Sequence, residues 1–329
     1  MNSRKRRFTA ALIFAMVLSA ALLGTGCRFS GDVKRDDGKI RVVTTIFPPY
    51  DFVRQVAGDL VTLQMLLPLG TESHSYEPTP QDLVAIQNCD VFIYIGGESD
   101  QWVDEFLEAI DTEHMTIISM LDSVGTILEE TDEGIADTGG HSHGSDEDHD
   151  HEQEEYDEHV WTDPDNAIQL TRVIAKALSA HDPAHSSLYE KNAEAYTARL
   201  AQLDDALHKI VENAARRVIV FGDRFPMRYF AEAYGLTCYA AFSGCASDTE
   251  AGAAVIASLI DRVREEQIPV VFHMELSSGK IADTICEEGG AVKRQLNSCH
   301  NLTKEQFDAG VGYVELMEEN ADALKEALY

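Results

Sequence analysis

Residues 159–178 read HVWTDPDNAIQLTRVIAKAL, and this stretch divides the chain into two halves of similar character. Pro164 suits the first turn of a helix, and apolar residues recur with helical spacing from Ile168 onward. The period is interrupted at Pro183 and resumes over residues 188–211. We therefore expect a long, stiff helical connector, with a break allowed near Pro183.

Strands and helices alternate on both sides of this connector. Strands are predicted at residues 39–46, 61–67, 90–95, 115–119, 217–221, 237–241, 270–274 and 292–296, and segments with helical periodicity separate most of them. Most of these strands are rich in apolar or β-branched residues. Continuous apolar runs are typical of parallel strands that are buried on both faces. The alternation predicts an α/β protein of two lobes, each a mostly parallel sheet flanked by helices, joined by one long rigid helix.

The N-terminus has the features of a secretory signal. Four residues that begin with Arg4 are basic, residues 8–23 are apolar, and small residues precede Cys27. This arrangement resembles a lipoprotein cleavage site, at which the cysteine is lipidated. We expect a protein that is tethered by a lipid anchor outside the cytoplasmic membrane.

These expectations divide the chain into six segments. They are a signal at 1–27, a spacer at 28–38, an N-terminal lobe at 39–128, a disordered loop at 129–158, a metal-site junction with the connecting helix at 159–214, and a C-terminal lobe at 215–329.

The loop at residues 129–158 is rich in His, Asp and Glu and has few apolar residues with which to form a core. One interpretation is a solvated acidic linker, and the other is weak, mobile capture of metal ions. The second is favoured because the loop and the residue that follows it hold five of the chain's 12 histidines. These five are His141, His143, His149, His151 and His159.

Charge and residue types limit the classes of ligand. The formal net charge is −31, which repels nucleic acid, so nucleic-acid binding is excluded. Clustered imidazoles among carboxylates favour a borderline transition metal such as zinc over magnesium or calcium.

Seven spaced motifs within residues 40–328 resemble one known family, the metal-specific solute-binding lipoproteins of bacterial ABC transporters for zinc and manganese. The motifs are FPPYDFVRQVAGD, LLPLGTESHSYEPTPQDL, IYIGGESDQWVDEFL, DEHVWTDP, RYFAEAYGL, ELSSGKIADTICEEGGA and YVELMEEN. The His-rich insert resembles the zinc branch of that family. The resemblance implies a monomeric, non-enzymatic protein that binds one Zn²⁺ between its lobes and delivers it to an ABC permease.

The resemblance also implies metal ligands, and the sequence departs from the family pattern at two of them. His74 and His159 match the pattern. The third expected His is absent, and Asp223 lies near its place; Asn297 stands where a carboxylate is expected. His300 follows three residues after Asn297. We expect a tetrahedral site made by the three histidines with Asp223 or water. Asp223 is equally suited to be a helix N-cap, so both roles remain open.

Further residues are expected around the metal. His273 and Glu275 end a strand of the second lobe and are reserve ligands, Asn297 lies in the ligand loop, and Asp163 is placed to orient an imidazole. Cysteines 245 and 299 both follow strands, and outside the cytoplasm they are able to form a disulfide.

Three other functions remain open. A manganese or iron carrier of the same family is favoured if oxygen ligands dominate the site. A zinc-dependent hydrolase requires an open coordination position and a general base, and the sequence has no HExxH motif. A surface adhesin, in which metal only stabilises the fold, is the third.

Overall fold

A computed structural model describes residues 38–73, 76–127, 156–242 and 252–329. Lys39–Tyr329 form one compact unit. Among the described residues, no helix has both the length and the apolar character needed to cross a membrane.

The first lobe is a four-stranded, fully parallel sheet with the strand order β2-β1-β3-β4. Helices follow each of the first three strands. The elements are β1 (Ile40–Thr44), α1 (Phe47–Ala57), β2 (Val61–Met65), α2 (Pro80–Gln87), β3 (Val91–Tyr94), α3 (Gln101–Glu108) and β4 (Thr116–Ser119).

Helix α1 begins earlier than the sequence predicts. Phe47-Pro-Pro-Tyr reads as a break before a helix that starts at Asp51, but both prolines lie in the first turn of α1. The first-turn N–H groups of a helix have no intrahelical partner, so proline in this turn removes no helical hydrogen bond.

The connector consists of two helices, α4 (Pro164–His181) and α5 (Ser186–Glu212), which pack against each other. Pro164 opens α4 as predicted, and α5 alone has 27 residues. The chain breaks at the predicted place, where the Asp182 carboxylate accepts hydrogen bonds from His185 and Tyr189. The stiff connection is therefore a pair of packed helices rather than one uninterrupted helix.

The second lobe has the same design as the first, with the strand order β6-β5-β7-β8 and all strands parallel. Its elements are β5 (Val218–Phe221), α6 (Arg228–Tyr234), β6 (Thr237–Ala240), α7 (Ala253–Glu265), β7 (Val270–Met274), α8 (Lys280–Gly289), β8 (Val292–Leu296), α9 (Lys304–Asp308) and α10 (Tyr313–Leu328). The predicted two-lobe α/β class is confirmed.

One hydrophobic core runs through both lobes and the connector. It includes Phe52 of the first lobe, Trp161 at the junction, Leu200 of α5 and Tyr313 of α10, all of them fully buried. Burial of each large apolar side chain contributes about 1.5–3 kcal/mol, so wide separation of the lobes would expose many such groups at once. The shared core therefore fixes the carboxyl ends of the two sheets relative to each other.

Candidate metal centre

A cavity of about 370 Å³ opens where the strands of the second lobe end. In a parallel sheet of this strand order, the connections reverse direction between β5 and β7, and ligand sites form beyond the carboxyl ends of the strands at that point. The lining comes from the loops after β5, β7 and β8 and from residues 71–73 of the first lobe. The cavity therefore lies between the lobes, where the resemblance implies a metal.

His159 is completely buried and lies just before the 3₁₀ turn Val160–Thr162. Its ring Nδ1 lies 3.0 Å from Asp157 Oδ1, and the same oxygen accepts the His159 backbone N–H at 2.8 Å. A carboxylate only accepts, so Nδ1 carries the proton and Nε2 is the atom suited to bind a metal.

His300 lines the cavity and has a similar arrangement behind its ring. Its Nδ1 lies 2.8 Å from the Ser298 hydroxyl, which donates a short hydrogen bond to Glu275 Oε1. Glu275 Oε2 also accepts the Ser298 backbone N–H at 2.7 Å. Because the hydroxyl proton is directed to Glu275, the hydroxyl oxygen accepts the Nδ1 proton of His300, and Nε2 is again the ligand atom.

The backbone around His300 is held in an unusual conformation. Cys299 is fully buried and has φ 64°, in the left-handed region that side-chain-bearing residues seldom adopt. The His300 carbonyl accepts the N–H of Phe47 at 3.1 Å. Such strained turns persist where their surroundings fix them, and here the turn carries a histidine into the cavity.

Trp161 forms a wall beside both imidazoles. Its ring centre lies 4.8 Å from that of His300 and 5.5 Å from that of His159, and the two imidazole centres are 4.7 Å apart. The indole N–H donates to the Ser298 carbonyl at 2.7 Å, and the Tyr313 hydroxyl donates to the Trp161 carbonyl at 2.6 Å. The rings are therefore oriented by fixed neighbours before any metal arrives.

The carboxylate that orients His159 is Asp157, not the predicted Asp163. Asp163 instead caps α4 by accepting the N–H of Asp165 at 2.8 Å. Burial raises the pKa of Asp163 to about 6. Asp157 and Glu158, which sequence analysis assigned to the insert, are buried and belong to the folded site.

Asp223 lines the cavity but does not cap a helix, because α6 begins five residues later at Arg228. The N-cap interpretation is therefore wrong. The Asp223 carboxylate accepts hydrogen bonds from the Ser277 hydroxyl, from Met274 N at 3.2 Å and from Arg224 N at 3.0 Å. These bonds connect the loops that follow β5 and β7.

Of the other residues expected around the metal, Glu275 lines the cavity, whereas His273 and Asn297 do not. Glu275 lines the cavity, and burial raises its pKa. His273 does not line the cavity, and its Nδ1 lies 2.9 Å from the Met274 carbonyl oxygen. Asn297 also lies off the cavity, where its side chain bonds Gln295 and Glu319.

Several predicted residues lie outside the described part of the chain. They are His74, Cys27, Cys245 and the insert histidines His141, His143, His149 and His151. Cys299 is a free thiol, which does not support the predicted disulfide with Cys245. Over the described residues, no group of three or more His, Cys, Asp or Glu side chains forms a complete metal site. What the structure brings together is the pair His159 and His300.

Two buried carboxylates lie behind the junction. Glu158 accepts the N–H of Ser99 at 2.6 Å, and Asp100 accepts the N–H of Ile95 at 2.7 Å. Burial raises the pKa of Glu158 and raises that of Asp100 to about 7. Burial therefore favours the neutral form of both groups.

Sequence reasoning missed Asp157 and Ser298, the two residues that hold the imidazoles. Each lies two positions before its histidine, in Asp-Glu-His and Ser-Cys-His. A short oxygen-bearing side chain at this spacing is able to reach Nδ1 of the histidine that follows. The common spacing was therefore a detectable sequence pattern.

Comparison with known proteins identifies the family. The sequence model of ZnuA, described as zinc-uptake complex component A, periplasmic, matches residues 42–327. The zinc-binding lipoprotein AdcA of Streptococcus pneumoniae (strain ATCC BAA-255 / R6) is 36% identical over 293 residues, which are 89% of this chain and 56% of that protein. The high-affinity zinc uptake system protein ZnuA of Bacillus subtilis (strain 168) is 31% identical over 324 residues, which are 98% and 96% of the two chains.

Solved structures agree with this assignment. The Zn(II)-bound ZnuA-like domain of Streptococcus pneumoniae AdcA has a TM-score of 0.71 and 32% identity, with 88% of this chain and 99% of that chain covered. The metal-dependent lipoprotein YcdH from Bacillus subtilis has a TM-score of 0.73 and 31% identity, with 88% and 100% covered. This chain spans about half the length of the streptococcal AdcA relative, 56% of it. The family match nevertheless extends over both lobes, and the chain belongs to the ZnuA family.

Proposed function

We propose that the protein is a high-affinity zinc-binding protein that captures Zn²⁺ outside the cytoplasmic membrane and delivers it to a cognate ABC permease. The observation that carries this proposal is the pair of buried imidazoles, His159 and His300, each held through Nδ1. His300 lines the cavity, and the His159 ring centre lies 4.7 Å from that of His300. Imidazoles oriented in this way by oxygen partners are typical of metal ligands. The names of the relatives, which refer to zinc binding and zinc uptake, support the choice of metal.

The separation of the rings fits a shared zinc ion. With Zn–N bonds of about 2.1 Å, two imidazoles at a tetrahedral angle have ring centres about 5 Å apart. The centres of His159 and His300 are 4.7 Å apart. The ring separation is therefore compatible with one ion bound through Nε2 of both imidazoles.

We assign His74 as the third ligand, because the cavity lining extends to Ser73, the residue directly before it. For the fourth position we favour water over Asp223, since the Asp223 carboxylate is already bonded to Ser277 and Met274. Three neutral imidazoles and an oxygen form a tetrahedral set suited to zinc.

The wider assignments are proposals of the same kind. The lobes at 39–128 and 215–329 enclose the site, the insert histidines capture metal weakly, and lipidation of Cys27 anchors a monomer to the membrane. The word lipoprotein in the names of the AdcA and YcdH relatives supports the anchor.

The alternative within the family is a manganese or iron carrier, and the cavity oxygens of Asp223 and Glu275 are what favour it. We give it second place because hydrogen bonds already occupy both carboxylates. The same contacts disfavour a hydrolase, since Glu275 is bonded to Ser298 and is not placed as a base for a metal-bound water. We propose that the protein is not an enzyme.

The test is equilibrium titration with zinc in competition with a chelator of known affinity. His159→Ala and His300→Ala should each lose the tight site, with a fall larger than the roughly 10- to 100-fold typical for loss of a supporting hydrogen bond. His114→Ala, which removes an exposed histidine outside the cavity, is the matched control. Unchanged zinc affinity in both histidine variants would refute the site, and tighter binding of manganese than zinc by the unmodified protein would favour the alternative.

A further inference from the structure

An ion pair joins the two lobes across the mouth of the cavity. Arg224, which follows β5 in the second lobe, bonds through Nη1 to Glu72 Oε1 in the loop after β2 of the first lobe. Both residues line the cavity. Their side chains are 25% and 55% exposed, so the pair is in contact with solvent, whereas the imidazoles of His159 and His300 are buried.

The base of the same first-lobe loop is fixed to the second lobe. The Asn301 side-chain amide is buried and donates to the carbonyl oxygens of Pro68 and Thr71, each at 2.8 Å. Gly70 N–H donates to the Leu302 carbonyl, also at 2.8 Å. Residues 68–71 are thus held by three hydrogen bonds to the second lobe. Thr71 is therefore fixed directly before Glu72, and this places the Glu72 backbone at the cavity.

We infer that Glu72 and Arg224 are positioning residues that set the rate at which the metal ion passes the mouth of the cavity, without binding it. This inference rests on the proposed function. A guanidinium is always protonated and has no lone pair for a metal, so Arg224 is not a ligand although it lies near the place of the expected third histidine. The charge of Arg224 repels a bare cation. The ion pair with Glu72 offsets that repulsion and also closes the mouth of the cavity.

The physical consequence is a change in kinetics rather than in equilibrium affinity. Loss of the pair removes a contact that must break both when the ion enters and when it leaves, so both rates should rise together. Exposed ion pairs contribute little to stability, so loss of this pair should raise the association and dissociation rates by only about two- to fivefold. The ratio of the rates, and with it the dissociation constant, should stay within about twofold.

The experiment is stopped-flow measurement of zinc association, and of zinc dissociation into excess chelator, on the full chain. The double variant Glu72→Gln with Arg224→Gln keeps the net charge of the cavity and removes the ion pair, so it should show the two- to fivefold rise in both rates. The charge-swapped variant, Glu72→Arg with Arg224→Glu, restores a pair and should return to the rates of the unmodified protein. Arg264→Gln is the control, because it breaks the exposed Arg264–Glu288 pair outside the cavity lining and should change neither rate.

The outcomes separate this inference from the proposed function. Unmodified protein without a tight zinc site in the equilibrium titration would refute the proposed function. Tight binding with unchanged rates in the double variant would overturn the inference alone. A double variant whose dissociation constant shifts because only one rate changes would also overturn it, since the pair would then act on affinity.

Discussion

Replacement of Ser298 by Ala tests whether the hydrogen bonds behind His300 set the metal affinity. The hydroxyl lies 2.8 Å from His300 Nδ1 and also bonds Glu275. The backbone of Ser298 independently bonds Glu275 through N–H at 2.7 Å and the Trp161 indole through its carbonyl at 2.7 Å. Because those backbone contacts remain in Ser298→Ala, the substitution removes the hydroxyl alone and leaves the loop in place.

The expected loss of zinc affinity is about 10- to 100-fold, or about 1.4–2.8 kcal/mol, the usual effect of losing a partner behind a metal-bound imidazole. Without the hydroxyl, Nδ1 of His300 has lost the acceptor that fixes its proton and its ring orientation. Glu275 keeps the backbone N–H bond, so the loss should appear in metal binding more than in folding.

The assay is competition for zinc with a chromophoric chelator at constant pH, together with thermal unfolding of the metal-free variant. Ser123→Ala removes the same atoms from a serine that bonds the Ser119 carbonyl at 2.6 Å, outside the cavity, and should leave the affinity unchanged. An intact Ser298→Ala variant with zinc affinity within twofold of the unmodified protein would refute the role assigned to this hydroxyl.

Two further predictions concern pH and the insert. Burial raises the pKa of Asp100 from 3.8 to about 7, so between these values the native protein keeps a proton that the unfolded chain has lost. The free energy of unfolding should therefore fall as pH rises through this window, by up to about 4 kcal/mol, and Asp100→Asn should remove that part of the slope. Chemical denaturation at pH 5 and pH 8 measures the upper part of this window, where the expected fall is about 2.7 kcal/mol. The same fall in Asp100→Asn as in the unmodified protein would contradict the raised pKa. Deletion of residues 141–151 should lower the zinc stoichiometry in equilibrium titration but leave one tight site, and loss of that site would place the insert within it.

The general fold was predictable because its strands are locally distinctive. All eight strands occur where the sequence predicted them. The central strands β3 and β5 are apolar along nearly their whole length because both faces are buried, which leaves little freedom in residue type. The break near Pro183 was also predictable from the sequence. The packing of α4 against α5 was not. Packing partners depend on contacts between distant segments, and local periodicity does not report them.

The site was predictable in part. The choice of His159 and His300 as neighbours is supported by their 4.7 Å ring separation, whereas Asp163 was wrongly given the orienting role that Asp157 has. The acidic run before His159 has the composition of a solvated loop, and composition alone does not reveal that Asp157 and Glu158 are buried.

The sequence by itself determined the residue types, the alternation of strands and helices, and the family to which the chain belongs. Only the tertiary structure decided which side chains meet: Trp161 and Ser298 are 137 positions apart, yet the indole N–H of one bonds the carbonyl of the other. The physical reason is that parallel strands bring their carboxyl ends to one edge of each sheet, and a core shared by both lobes brings those edges together. The proton position on each imidazole, and hence the nitrogen offered to a metal, follows from that long-range packing.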